Sequence, residues 1–119
     1  MDSEVTSAIQ KLQTEAWRTA EDNGWHAEDR SPPELLCLIH SEVSEALEEY
    51  RDRRAPDELY YDPKSNPPNK PEGIPAELAD VIIRILDLCG TYNIDLAAAL
   101  KVKMDYNKIR PYRHGGKIL

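Results

Sequence analysis

The chain has 119 residues, of which 31% are charged, and its formal net charge is −7. This length fits one domain spanning residues 1–119, and the composition is typical of a folded protein rather than a disordered one. The acidic excess disfavours binding to a nucleic-acid polymer, since that binding relies on Lys and Arg to neutralise phosphates. No apolar run reaches the roughly 20 residues of a membrane span, and the N-terminus lacks the basic and apolar segments of a signal peptide. We therefore expect a cytoplasmic protein with no membrane partner.

Two further features of the composition refine this expectation. Cys37 and Cys89 fall within apolar helical patterns, which predicts free, buried thiols in a reducing compartment. Residues 101–117 carry six basic side chains and one acid, whereas the middle of the chain is acidic. An acidic body with a basic C-terminal tail suits a ligand that is part anion and part metal complex.

Hydrophobic periodicity predicts a first helix from Ser3 to about Asp22, which ends at Asn23-Gly24. The second helix has a clear start, because Ser31 is a suitable cap and Glu34 follows three residues later, as in a capping box. Its helical pattern continues to about Arg53.

A long polar loop is predicted for residues 54–74, because its five prolines deny it a regular helix. A loop of this length in a small domain is usually functional or mobile.

The sequence predicts two more helices after this loop. The third begins at Pro75 and ends near Gly90, and the fourth runs from about Ile94 to Lys108. Arg110-Pro111 stops the fourth helix, since the residue before a proline avoids the helical region. We expect an extended tail over about 110–119 and find no strand-like alternation of useful length. The predicted fold is all-α and resembles a four-helix bundle.

The second helix carries carboxylates that interrupt its apolar face. Glu42 and Glu49 fall within this face, and Glu45 lies at its edge. The apolar members of the face are Leu35, Leu38, Ile39, Val43, Ala46, Leu47 and Tyr50. Burying one carboxylate without a partner costs several kcal/mol, and two neighbouring carboxylates also repel each other. A cation is therefore expected beside Glu42 and Glu45.

The third helix carries a second acidic pair, Glu77 and Asp80, on a polar stripe that continues through Arg84 and Asp87. If the two helices are antiparallel neighbours, both acidic pairs face one cavity. Such a cluster of carboxylate oxygens suits Mg²⁺ or Mn²⁺. Two other interpretations remain open: solvated faces with salt bridges, and a di-iron bundle, although the Glu-x-x-His pairs typical of di-iron bundles are absent.

Three segments of the chain resemble the MazG-like, all-α nucleotide pyrophosphohydrolases. They are LLCLIHSEVSEALEEYRD (35–52), KPEGIPAELADVIIRILDLC (70–89) and KMDYNKIRPYRHGGK (103–117). The resemblance implies a MazG fold, Mg²⁺ as cofactor, a nucleoside triphosphate as substrate and a homodimer or homotetramer. It also implies hydrolysis to the monophosphate and pyrophosphate, as in the upkeep of nucleotide pools.

The resemblance also assigns roles to individual residues. Glu42, Glu45, Glu77 and Asp80 are expected to bind the metal, and Glu45 is our preferred group for orienting or deprotonating the attacking water. The expected substrate-binding residues are Trp25, which would stack on the base, and Lys103, Asn107, Arg110, Arg113 and Lys117. Further candidates are Trp17, Glu49, Arg84 and His114. The preferred base and sugar, the number of metal ions, and whether the tail serves its own or a neighbouring site stay open.

Two rival functions remain. The first is a non-catalytic helical interaction module, in which the acids are solvated and the apolar face of the third helix binds a partner. The second is a hydrolase of the same fold that acts on another nucleotide phosphate.

Overall fold

The computed structural model describes residues 1–111 and Ile118. Its elements, in chain order, are α1 (Ser3–Asp22), α2 (Pro32–Arg51), β1 (Tyr60–Asp62), β2 (Lys70–Glu72), α3 (Ile74–Thr91) and α4 (Leu96–Ile109). The described chain is mostly helical, as predicted, and the four predicted helices are present beside a two-stranded sheet. Among residues 1–111, no helix is both long and apolar enough to cross a membrane.

Side-chain caps set the starts of three helices. Asp2 accepts a hydrogen bond from the Val5 amide at 2.9 Å, Asp95 accepts one from the Ala98 amide at 3.1 Å, and Ser31 begins α2. The second helix ends two residues before the predicted Arg53, because Arg53 adopts a left-handed backbone with φ of 68°. A residue in this conformation ends a helix.

The segment between α2 and α3 contains a β-hairpin, which the sequence reading missed. Strands β1 and β2 are antiparallel, with Tyr60 opposite Glu72 and Asp62 opposite Lys70. Prolines exclude a helix here, but they do not exclude a strand of three residues at a sheet edge. The hairpin matters for the site because β2 leads directly into the first turn of α3.

Helix α3 lies at the centre of the fold, with α2 packed on one side of it and α1 on the other, while α4 packs against α1. The four helices therefore do not enclose one common core as in a closed bundle. A small buried cluster of Leu35, Leu88 and Cys89 joins α2 to α3, and Leu38, Ile39, Ile85 and Leu96 pack around it.

Three of the seven apolar residues in the predicted face of α2 are exposed to solvent: Val43, Leu47 and Tyr50. Leu36, Val43, Leu47 and Tyr50 form a narrow strip along this helix, and each is about half exposed or more. We call these four residues the α2 strip. The predicted burial of this face is wrong for Val43, Leu47 and Tyr50, because α2 packs mainly on α3 among the described helices.

The prediction of two buried thiols is half correct. Cys89 is buried in the α2–α3 cluster, and this burial raises its pKa, whereas Cys37 lies on the solvent side of α2 and is exposed. Both cysteines are free.

Candidate functional site

Three carboxyl groups from α2 and α3 meet where these helices pack together. Glu42, Glu45 and Glu77 each offer one oxygen, and these oxygens lie within 4.8 Å of one another. Glu42 and Glu45 share a helix face because they are three residues apart, and Glu77 stands in the first turn of α3. Glu42 is buried, Glu77 is half-buried and Glu45 is exposed. We call these three residues the acidic cluster.

Two oxygens of the acidic cluster are buried and accept no hydrogen bond from an N–H or hydroxyl group: Oε2 of Glu42 and Oε2 of Glu77. The other oxygen of Glu42, Oε1, accepts a hydrogen bond from Nε of Arg84 at 2.7 Å. A buried carboxylate oxygen without such a bond is costly, so each of these oxygens requires a proton, a water molecule or a cation beside it.

Protonation of one of these carboxyl groups satisfies part of this need. Burial, followed by the neighbouring Glu45 and Glu42, raises the pKa of Glu77 from 4.5 to about 8. Burial would also raise the pKa of Glu42, but the hydrogen bond from Arg84 and those from the neighbouring carboxyl groups lower it. At neutral pH and without a metal, Glu77 is therefore the protonated member of the cluster.

Asp80 lies one turn beyond Glu77 on α3 and, like Glu45, is exposed. Loss of solvent around its carboxyl group and the charge of Glu42 raise its pKa, while Arg84 and Lys70 oppose that rise. The sequence-predicted set is thus brought together on one side of the α2–α3 pair, with three members in close contact and Asp80 beside them.

The chemistry of these donors fits a hard divalent cation. All are carboxylate oxygens, they come from two helices, and two of the oxygens lack any other partner. Mg²⁺ and Mn²⁺ prefer such ligands. Glu42, Glu45 and Glu77 are the residues that would hold the ion, with Asp80 within reach of the same region.

A cleft of about 470 Å³ extends from the acidic end of α3 along α1. Its wall includes Glu42, Asp80 and Arg84, and also Trp25, Arg30 and Asp87. Trp25 is 57% exposed, so its ring is available to a ligand in the cleft. The positions of Glu77 and Asp87 on α3 are separated by about 15 Å along the helix axis.

A second charged group, which sequence reasoning missed, surrounds Asp87. This buried carboxylate accepts hydrogen bonds from Nε2 of His26 at 2.7 Å and from Nη2 of Arg30 at 2.9 Å. Burial lowers the pKa of His26, but its hydrogen bonds to Asp87 and Glu21 raise the pKa by more than burial lowers it. The pKa of His26 therefore lies above the ordinary value of 6.5. The sequence signal was Asp87 itself, an acid on the polar stripe of an otherwise apolar helix.

Several candidates from the sequence lie elsewhere. Trp17 packs beneath His26, with ring centroids 4.7 Å apart, and so supports the wall behind the cleft. Both carboxylate oxygens of Glu49 accept from the Tyr60 hydroxyl, at 3.0 and 2.9 Å, which assigns this acid to the hairpin.

The basic candidates are not joined to the acidic cluster within the described residues. Lys103 and Asn107 are exposed on α4, and Arg110 follows the end of that helix. None of these three lines the cleft. Arg113, His114 and Lys117 lie outside the described residues.

No protein-family model, curated protein or solved structure matches this chain.

Proposed function

We propose that this chain is a Mg²⁺-dependent hydrolase that cleaves nucleoside triphosphates to the monophosphate and pyrophosphate. The observation that carries the proposal is the acidic cluster, with two unpartnered buried oxygens, beside a cleft that is also lined by an exposed tryptophan. The resemblance of the three sequence segments to MazG-like pyrophosphohydrolases supports the same reaction.

Glu42, Glu45 and Glu77 hold the metal in this proposal, and Asp80 assists from the next turn of α3. Mg²⁺ held by these residues would neutralise charge on the phosphate oxygens and on the carboxylates that would otherwise repel them. Glu77 must release its proton when the ion binds, because the metal needs the ionised carboxylate.

Glu45 is the best candidate for the general base. Glu42 is buried and already paired with Arg84, and Glu77 is protonated in the free protein, whereas Glu45 is exposed to water. Glu45 accepts a proton from the attacking water, the water oxygen bonds to phosphorus, and the bridging phosphorus–oxygen bond between the α- and β-phosphates breaks. Pyrophosphate leaves and the monophosphate remains in the cleft.

The nucleoside occupies the cleft against Trp25. Aromatic stacking on a base contributes about 1–3 kcal/mol and tolerates different bases. The group formed by His26, Arg30 and Asp87 fixes the wall near this ring, since it joins the α1–α2 connection to α3.

We propose that the protein forms a homodimer or homotetramer, as its resemblance to MazG-like pyrophosphohydrolases implies. The α2 strip is an apolar helix face with residues spaced by seven, four and three, which suits packing against another helix. Assembly would also allow Lys103, Asn107 and Arg110 to approach the acidic cluster of a neighbouring copy. In this setting the protein acts in the cytoplasm, where nucleotides and Mg²⁺ are available.

The test is to incubate the purified protein with Mg²⁺ and a panel of ribo- and deoxyribonucleoside triphosphates, with pyrophosphate and orthophosphate measured separately. We expect pyrophosphate from one or a few substrates and none in EDTA. Glu77→Gln, which is nearly isosteric, should lower kcat at least about 100-fold by removing one metal ligand.

The matched control is Glu48→Gln, on the exposed side of α2, which should retain full turnover. Pyrophosphate from the Glu77→Gln protein at the wild-type rate would refute the metal assignment. Absence of pyrophosphate from every substrate, together with no thermal shift in Mg²⁺, would favour the helical interaction module. Products from a nucleotide diphosphate or another phosphate compound alone would favour the same-fold alternative.

A further inference from the structure

Arg84 is held at the acidic cluster by only one edge of its guanidinium group. Its Nε donates to Oε1 of Glu42 at 2.7 Å, and within the described residues its two Nη nitrogens donate no hydrogen bond. The side chain is 29% exposed and lines the cleft. Glu42 therefore holds the Nε side of the guanidinium and leaves the two Nη nitrogens available to a ligand.

The position of Arg84 along α3 lies between the two ends of the cleft. It follows Asp80 by four residues and precedes Asp87 by three, so all three side chains share one helix face. A ligand that spans from the acidic cluster to Trp25 must pass Arg84. In a nucleoside triphosphate that lies along the cleft, the α-phosphate is the group between the nucleoside and the outer phosphates at the metal. The α-phosphate would therefore lie beside Arg84.

The charges along the described wall of the cleft single out the same residue. Two arginines line it, Arg30 and Arg84. Arg30 uses one of its terminal nitrogens, Nη2, for the buried carboxylate of Asp87, and its side chain is 15% exposed against 29% for Arg84. A planar guanidinium with a free edge suits a phosphate, because two parallel N–H groups match two phosphate oxygens.

We propose that Arg84 binds the α-phosphate of the nucleotide, oriented for this contact by Oε1 of Glu42. The inference rests on the proposed function and deepens it by placing the phosphate contact on α3 rather than on α4 or the tail. The two oxygens of Glu42 then have different roles: Oε1 accepts the hydrogen bond from Arg84, and Oε2 is left for the metal. Arg84 acts as a binding residue that retains the monophosphate product as well as the substrate.

The test compares each nucleoside monophosphate with its own nucleoside, because the two ligands differ only in the phosphate. Binding of the common ribo- and deoxyribonucleosides and of their monophosphates is measured by calorimetry, in EDTA and again in Mg²⁺. We expect Arg84→Met to weaken monophosphate binding by about 10- to 100-fold and to leave nucleoside binding unchanged.

Arg84→Lys separates phosphate binding from support of the fold. Lysine keeps the charge next to Glu42 but lacks the second edge of the guanidinium. We expect it to restore the thermal stability lost in Arg84→Met while regaining only part of the monophosphate affinity. The control is Arg51→Met, which removes an exposed arginine paired with Glu48 on α2 and should bind all ligands as the wild type does.

Three results would overturn the inference. They are unchanged monophosphate binding in Arg84→Met, an equal loss of nucleoside and monophosphate binding, or no monophosphate binding by the wild type. The reaction is judged separately by pyrophosphate release. Arg84-dependent binding without hydrolysis would reject the reaction and keep the phosphate contact, and hydrolysis with Arg84-independent binding would do the reverse.

Discussion

Glu77 illustrates how one buried carboxyl group links the stability of the fold to pH. Its pKa in the folded chain is about 8, above the ordinary value of 4.5, because of burial and of the neighbouring Glu45 and Glu42. Between these two values the folded chain keeps a proton that the unfolded chain releases. The stability from that proton is complete below the unfolded pKa and is lost as pH rises through the folded pKa.

We therefore expect the protein in EDTA to become less stable as pH rises from about 5 to about 8.5. The contribution of Glu77 should be about 2 kcal/mol, well below the full shift, since water reaches this half-buried group. Urea unfolding at several pH values measures it. His26 adds a slope of the same sign, because its pKa is also raised.

The control for this prediction is Glu77→Gln, which should flatten most of the decline and leave the parts due to His26 and Asp80, whose pKa values are also raised. Mg²⁺ should also reduce the decline, because the ion replaces the proton as the partner of the carboxylate. A wild-type profile that is flat or rises over this range would contradict the assignment.

Gly73 is a second single residue on which the site depends, since it stands between β2 and α3. Its φ is 107°, and an added Cβ would lie 2.2 Å from the carbonyl oxygen of Glu58. A side chain here must push the start of α3, and Glu77 with it, away from the hairpin.

We expect Gly73→Ala to lower the free energy of unfolding by about 2–4 kcal/mol and to weaken Mg²⁺ binding. The comparison is Gly24→Ala, which also has a positive φ, of 80°, but meets no atom within 4 Å. It should cost only about 1–2 kcal/mol. Equal losses in both variants, measured by urea unfolding, would show that contact with Glu58 is unimportant.

At the scale of the element, the hairpin is the part of the fold that side chains fasten to α2. The Tyr60 hydroxyl donates to Glu49, and the Arg54 guanidinium lies 3.9 Å above the Tyr60 ring. This hydrogen bond is also the main reason for the raised pKa of Tyr60. The neighbouring Tyr61 points to the other side of the strand and is exposed.

Tyr60→Phe removes the hydroxyl and keeps the ring under Arg54. We expect the backbone amides of the hairpin to exchange with solvent faster, by roughly tenfold or less, which is the effect of one partly solvated hydrogen bond. Tyr61→Phe is the matched control and should leave exchange unchanged. If both variants exchange like the wild type, the Tyr60–Glu49 contact does not fasten the hairpin.

At the scale of the whole molecule, the α2 strip is the largest departure from a closed bundle. Leu36, Val43, Leu47 and Tyr50 follow one another along about four turns of helix without a covering element among the described residues. A continuous exposed apolar surface of this kind usually marks a protein–protein interface.

Leu47→Lys should shift the protein toward the monomer in sedimentation experiments, because a buried ammonium group at a helix interface is costly. Its control is Leu59→Lys on the hairpin, whose residue is exposed to a similar degree, 47% against 49% for Leu47. That variant should sediment as the wild type does. A wild-type monomer, or an assembly unaffected by Leu47→Lys, would contradict the proposed role of the strip.

Local signals predicted much of this molecule. Ser31 begins α2 as its capping pattern indicated, and the i, i+3 spacing of the acids brought Glu42 and Glu45 onto one face. The hairpin escaped prediction because three-residue strands are too short to show an alternating pattern.

Contacts between distant residues were harder to predict. The bond of Arg84 to Glu42 and the group around Asp87 join residues 42 and 57–61 positions apart, and no single-helix pattern specifies such pairs. The exposure of the α2 strip escaped prediction for a related reason. Periodicity identifies an apolar face, but not whether the same chain covers it.

The two oxygens of Glu42 have a consequence for how ligands influence each other. They belong to one delocalised carboxylate, so a cation drawn to Oε2 reduces the strength of Oε1 as an acceptor for Arg84. In the proposed site, metal and phosphate would therefore be linked ligands, and each would change the affinity of the other by the same factor. A substitution of Glu42 that changes the affinity for the metal would also change the hydrogen bond that orients Arg84. Related sequences that have another residue at position 42 are therefore expected to have another residue at position 84 as well.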